Sequence, residues 1–193
     1  MTTAAERQRR ARAEPYARVC DRQSVTIERL LPGPVERVWS YITDPDKRAK
    51  WLAAGPLEAR QGGAISLIFR NSDLSEGQPG PSCVLPPDGV DHVMRGVVTR
   101  CEPPHLLSFN WSLDATGTES TFELSQEGTD TRLVITQSRV PNRGQLLNMT
   151  AGWHVHVGIL ADLLAGSAPR AFWPEHVRLV KLYDDRIGPS GPE

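Results

Sequence analysis

The sequence predicts an α+β fold in which an antiparallel sheet is covered by one long helix near the C-terminus. Three observations carry this. Alternating apolar segments recur between Ser24 and Gln137, joined by short turns. A long segment, Asn142 to Ala165, steps its apolar residues by three and four. Two short helices, PVERVWSYITDPDKRAKW (34–51), interrupt the strands after the first of them.

Each element follows from its residues. Residues 1–22 hold Arg7, Arg9, Arg10, Arg12, Arg18 and Arg22 with few large apolar side chains, and read as a flexible basic N-terminal arm. Residues 23–188 read as a single domain. Ser24–Leu31 alternates as a half-buried strand, with Val25 and Ile27 and then Arg29 or Leu31 inward. Val35, Val38, Trp39 and Ile42 fall at i, i+3, i+4 and i+7, one apolar helix face, with Gly33 and Pro34 suited to its start. Pro45 disfavours helical geometry at Asp44, which can cap a second helix of about two turns that ends near Trp51. Residues 53–63 read as a short strand and a Gly62-Gly63 turn. In Ala64–Arg70, Ile65, Leu67 and Phe69 share a face.

Residues 71–90 form a Pro/Gly-rich loop insert, long for a compact domain and read as a lid or a surface insertion. Asp91–Glu102 is a long strand, with Gly96 marking a bulge or bend. After Pro103-Pro104, Leu107, Phe109 and Trp111 share a face. Ser120, Phe122 and Leu124 point inward, as do Leu133, Ile135 and Gln137 across a hairpin at Glu127–Asp130. Short turns make these strands antiparallel. Leu146, Met149, Trp153, Val157, Leu160 and Leu164 form the long helix's stripe. A C-terminal helix extension, 172–188, places Val177, Val180, Tyr183 and Ile187 on one face.

Composition narrows the function classes. The chain has 193 residues, 39% hydrophobic and 23% charged, with a net charge of −1. A core of this size needs no metal or disulfide, and no cofactor is expected. Neutrality gives no bias toward nucleic acid or membrane, and no apolar run reaches the roughly 18 residues of a span. The first twenty residues have no apolar stretch of signal-peptide type. Cys20, Cys83 and Cys101 are odd in number and far apart, which suits a cytoplasmic location.

The order of these pieces resembles a known family. PVERVWSYITDPDKRAKW (34–51), RGVVTRCEPPHLLSFNW (95–111), STFELSQEGTDTRLVITQ (120–137) and AGWHVHVGILADLLAG (151–166) are similar to the START-like, SRPBCC or Bet v 1-like superfamily. Within it they are most similar to bacterial homologues of the activator of the heat-shock-protein-90 ATPase. The resemblance implies a helix-grip fold: a curved sheet of about seven strands around the long helix, with a cavity between them that takes apolar or polycyclic small molecules. Some relatives are cyclases or hydrolases, but fold does not fix function.

On that basis the expected ligand-binding residues are Phe69, Met94 or Arg95, Phe109, Trp111, Trp153 and His154, with Trp51 at the rim. Aromatics give rigid walls to a flat ligand. Of the HxH pair His154/His156, two residues apart and so facing different ways, His154 beside Trp153 is the candidate for the cavity and for an acid/base role. Shared metal binding by the pair is not expected. No G-x-S-x-G, HExxH, CxxC or phosphate loop is present. The expected partner is an apolar or aromatic small molecule. A cyclase-, dehydratase- or hydrolase-like enzyme is the alternative, and a module stimulating a chaperone ATPase the less favoured one. Homodimerisation is left open.

Overall fold

The computed structural model describes residues 16–74 and 91–188. Seven strands form one sheet: β1 (Arg18–Asp21), β2 (Ser24–Pro32), β3 (Ala64–Phe69), β4 (His92–Glu102), β5 (Leu106–Asn110), β6 (Glu119–Glu127) and β7 (Asp130–Ser138). Its order is β1-β2-β7-β6-β5-β4-β3, and every neighbour is antiparallel. Among the described residues four helices accompany it: α1 (Val35–Thr43), α2 (Pro45–Arg48), α3 (Arg143–Leu164) and α4 (Phe172–Ile187). The curved sheet and the long α3 make a helix-grip fold. No helix of the described residues is long and apolar enough to cross a membrane.

Register follows from the alternation. Ile27 faces Ile135 across β2–β7, and Phe122 faces the same Ile135 across β6–β7. Leu107 faces Phe122, and Leu67 faces Met94. A one-residue slip would turn this set outward, so burying one face fixes the pairing. Gly128, at φ 61°, begins the two-residue link from β6 to β7. At Gly96 the constraint is close approach rather than a bulge, since a Cβ there would overlap the Asn110 carbonyl oxygen of β5. The irregularity of β4 lies further on, between Val98 and Arg100.

α1 starts where the β6–β7 hairpin holds it. Gln126 Oε1 accepts the Val35 N–H, and Thr131 Oγ1 donates to the Gly33 carbonyl. Asp44 caps α2, accepting from the N–H groups of Asp46 and Lys47. Asn142 caps α3 by accepting from Gln145 N–H. The central part of α3, Trp153 to Ala161, is buried on all sides. The sheet covers one side and α4 the other. The turn between the helices is pinned by Arg170, whose backbone N–H and guanidinium both donate to the Asp162 carboxylate and whose side chain lies over Gly158.

Several expectations need correction. The N-terminal arm does not reach residue 22, because Arg18–Asp21 pairs with β2 as β1. Residues 1–15, and 75–90 of the loop insert, lie outside the described residues. Residues 71–74 of the insert form a 3-10 turn. Residues 53–63 make only isolated bridges, Ala54 to Ile68 and Leu57 to Ile65. On α4, Val177 is 53% exposed, while Leu179 and Tyr183 are buried against the core. On β2 both Arg29 and Leu31 face inward.

Candidate functional site

At the end of the sheet where β3, β4 and β5 meet α3 and α4, the alternation of three strands brings aromatic rings together. Phe69 is the last residue of β3 and Trp111 directly follows β5. Their rings stack at 6.0 Å and 19°, and both remain half-buried. His92, at the start of β4, lies 5.8 Å from Phe69. Behind this pair is His156 of α3, with ring centroids at 6.3 Å from Phe69, 6.3 Å from Trp153 and 4.9 Å from Phe172. Deeper still, Trp153 meets Phe122 edge-on, and Phe122 stacks on Phe109. Trp173 and His176 of α4 close the cluster around Phe172. Trp173 Nε1 donates to Ser72 Oγ at 2.8 Å, tying α4 to the 3-10 turn after β3.

A buried polar relay orients the two inward indoles. Trp111 Nε1 donates to Ser120 Oγ at 2.7 Å, and Ser120 donates to Gln137 Oε1 at 2.7 Å. Trp153 Nε1 donates to the same Gln137 oxygen at 2.8 Å. Gln137 Nε2 donates to the Glu119 carbonyl. The indole donors therefore enter the interior with partners, which removes the desolvation penalty an orphaned donor carries.

The sequence-predicted residues divide as follows. Phe69, Met94, Phe109, Trp111 and Trp153 face the interior between sheet and α3. Arg95 does not. It is exposed on the outer face while Met94, one residue earlier, is buried. Trp51 is not at a rim: it is fully buried, its Nε1 donating to the Tyr41 carbonyl at 2.8 Å. That bond lets a whole indole be buried. His154 is buried away from the sheet. Its Nδ1 lies 2.7 Å from Tyr183 Oη, and its ring neighbours are Tyr16 and Tyr183. Tyr183 Oη also accepts the Ala17 N–H, and burial pushes its pKa up to about 12. His154 therefore helps to join α3, α4 and the segment before β1. The histidine inside the aromatic cluster is His156, whose Nδ1 lies 2.7 Å from the Trp51 carbonyl oxygen. Burial first, then the nearby His176, pushes its pKa down to about 4 against the Trp51 hydrogen bond.

Helical spacing contained the signal for His156. It lies three residues after Trp153 and so shares its face, whereas His154, one residue after, does not. Arg48 was also missed. It is 2% exposed and donates to the carbonyls of Ile42, Thr43 and Gly55, closing the C-terminal end of α1. Among the described residues no group of three or more His, Cys, Asp or Glu is placed to hold a metal ion.

The sheet order, the enclosed α3 and the two short helices after β2 coincide with a family profile. Activator of Hsp90 ATPase homolog 1-like proteins match over residues 32–165. The chain belongs to this family. Within the SRPBCC superfamily it is similar to a Bordetella parapertussis protein solved by NMR, at 39% identity over 93% of this chain and 94% of that one, with a TM-score of 0.74. CalU16 from Micromonospora echinospora has the same fold at 21% identity, covering 88% of this chain and 93% of that one, with a TM-score of 0.60. DynU16, from the dynemicin biosynthetic locus, is 25% identical over 78% of this chain, with a TM-score of 0.57, and this chain spans 51% of it. No curated protein matches.

Proposed function

We propose that this protein binds an apolar, aromatic small molecule at the Phe69–Trp111 end of the space between the sheet and α3. The observation that carries the reading is the half-buried, near-parallel stack of those two rings. A ring left partly in water has apolar surface still to bury, at about 25 cal/mol per Å². Trp111 has its N–H satisfied within the protein, so its remaining exposed surface is ring face and edge. A flat apolar molecule laid against the stack extends it, and the deeper rings of Trp153, Phe122 and Phe109 supply a rigid floor. The free cysteines Cys20 and Cys101 support action in a reducing cytoplasm. Homodimerisation, chaperone contact and catalysis form no part of this proposal.

Titrating the purified chain with flavonoid and polyketide libraries, read by tryptophan fluorescence and native mass, tests it. A saturable change in wild type that Trp111→Ala weakens about tenfold or more is expected for a residue of this size in the contact. Saturation by no library member, or an unchanged affinity in Trp111→Ala, overturns the proposal.

A further inference from the structure

The polar recognition of that ligand follows from the hydrogen bond on one side of the His156 ring. Nδ1 lies 2.7 Å from the Trp51 carbonyl oxygen, and a carbonyl only accepts, so Nδ1 carries the proton. A neutral imidazole has one N–H, which leaves Nε2 a bare acceptor. Among the described residues no group hydrogen-bonds to Nε2. The indole donors nearest the ring are engaged elsewhere: Trp153 at Gln137, Trp111 at Ser120 and Trp173 at Ser72. The ring is 6% exposed and sits one ring behind the Phe69–Trp111 stack.

We infer that His156 Nε2 is a specificity-determining acceptor, so that the site takes aromatic molecules carrying a hydroxyl donor in preference to their ethers. This deepens the binding reading above and rests on it. A phenol donates one hydrogen bond to Nε2, whereas a methyl ether has no donor to offer it. The low basicity of the ring keeps it an imidazole at neutral pH, so the contact is a neutral hydrogen bond and selects no anion.

The test compares 2-naphthol with 2-methoxynaphthalene on the full chain by tryptophan fluorescence. Wild type is expected to bind the naphthol about tenfold more tightly, the size of one buried hydrogen bond. In His156→Asn the amide N–H can still reach the Trp51 carbonyl but nothing replaces Nε2. This variant should bind the two probes equally. In His156→Gln an amide oxygen can occupy the Nε2 position, and part of the preference should return. Wild-type protein labelled with ¹⁵N-histidine gives a readout that needs no variant: the His156 Nε2 resonance should shift with the naphthol and stay in place with the ether. Equal binding of both probes by wild type, a preference that survives in His156→Asn, or a stationary Nε2 resonance overturns the inference and leaves the binding reading standing. Binding of neither probe, together with silence across the wider libraries, removes both.

Discussion

Gln137 shows how much a single side chain can organise. Its Oε1 accepts from Trp153 and Ser120 together, and Ser120 in turn accepts from Trp111. Replacing it by leucine keeps the volume and leaves two buried donors without an acceptor. Each such orphan costs about 1–3 kcal/mol. Gln137→Leu is therefore expected to lose about 2–4 kcal/mol in urea unfolding, with an altered tryptophan emission as both indoles lose their anchor. A loss below about 0.5 kcal/mol would mean that water replaces the missing oxygen. Arg48 works similarly at the end of α1, where its guanidinium donates to three carbonyls while buried. Burial pushes its pKa down to about 10, still far above neutrality, so it remains charged. Arg48→Leu leaves those carbonyls unpaired and is expected to cost about 3 kcal/mol, measured by thermal and urea melts.

At the scale of elements, the α3–α4 junction depends on Gly158 having no side chain. A Cβ there would come within 2.6 Å of Arg170 Nη1, and Arg170 is held by Asp162. Gly158→Ala is expected to cost about 1–3 kcal/mol, the range for overpacking. The same change should cost much less in an Arg170→Ala background, because the group it strikes is gone. A double-mutant cycle without coupling would show that α4 moves to make room. Elements also mark what was legible in the sequence. The strands and their inward faces were readable because each has one buried face, so period-two alternation reports it directly. α3 was readable as a helix, but its full enclosure was not, since a stripe on one side says nothing of α4 on the other. The residues alone do not choose between Met94 and Arg95, because neighbours on a strand face opposite ways and the structure buries Met94. Trp51 was placed at a rim because it ends a short helix. Its indole N–H finds the Tyr41 carbonyl instead, a long-range pairing that no local pattern reports. His154 was preferred over His156 on adjacency to Trp153, where the three-residue spacing of a helix face was the better guide.

For the whole molecule, the buried His156 and the half-buried His176, both against Phe172, set the response to acid. His156 is pushed down to about 4 by burial, and His176 is lowered as well, also by burial first. Their unfolded forms titrate near the ordinary histidine value of about 6.5. Between that value and the folded ones the unfolded chain binds more protons than the folded chain, so stability rises with pH in this window. It is fully present above about 6.5 and is lost as pH falls toward 4, by roughly 3 kcal/mol for His156 taken alone. Urea midpoints across this range should fall with acidity in wild type. In His156→Asn the slope should be shallower, leaving the smaller part due to His176 and the carboxylates.

The position of β2 beside β7 bears on how the chain is made. Val25 pairs with Gln137 and Pro32 with Asp130, so the contacts that seat β2 join residues roughly a hundred positions apart. β3 to β7 are each laid against the strand just made, and that part of the sheet can build as it leaves the ribosome. β2 emerges before them all, just after β1, and pairs with β7 last, with Ile27 and Leu31 waiting in water until β7 exists. Synthesis thus separates β2 from β7 by about a hundred residues of translation, an interval in which apolar segments are open to chaperones or to aggregation. Pulse-labelled hydrogen exchange during refolding should protect the amides of β5 and β6 before those of β2, and a circular permutant that begins at β3 and places β2 after β7 should fold faster than the natural order.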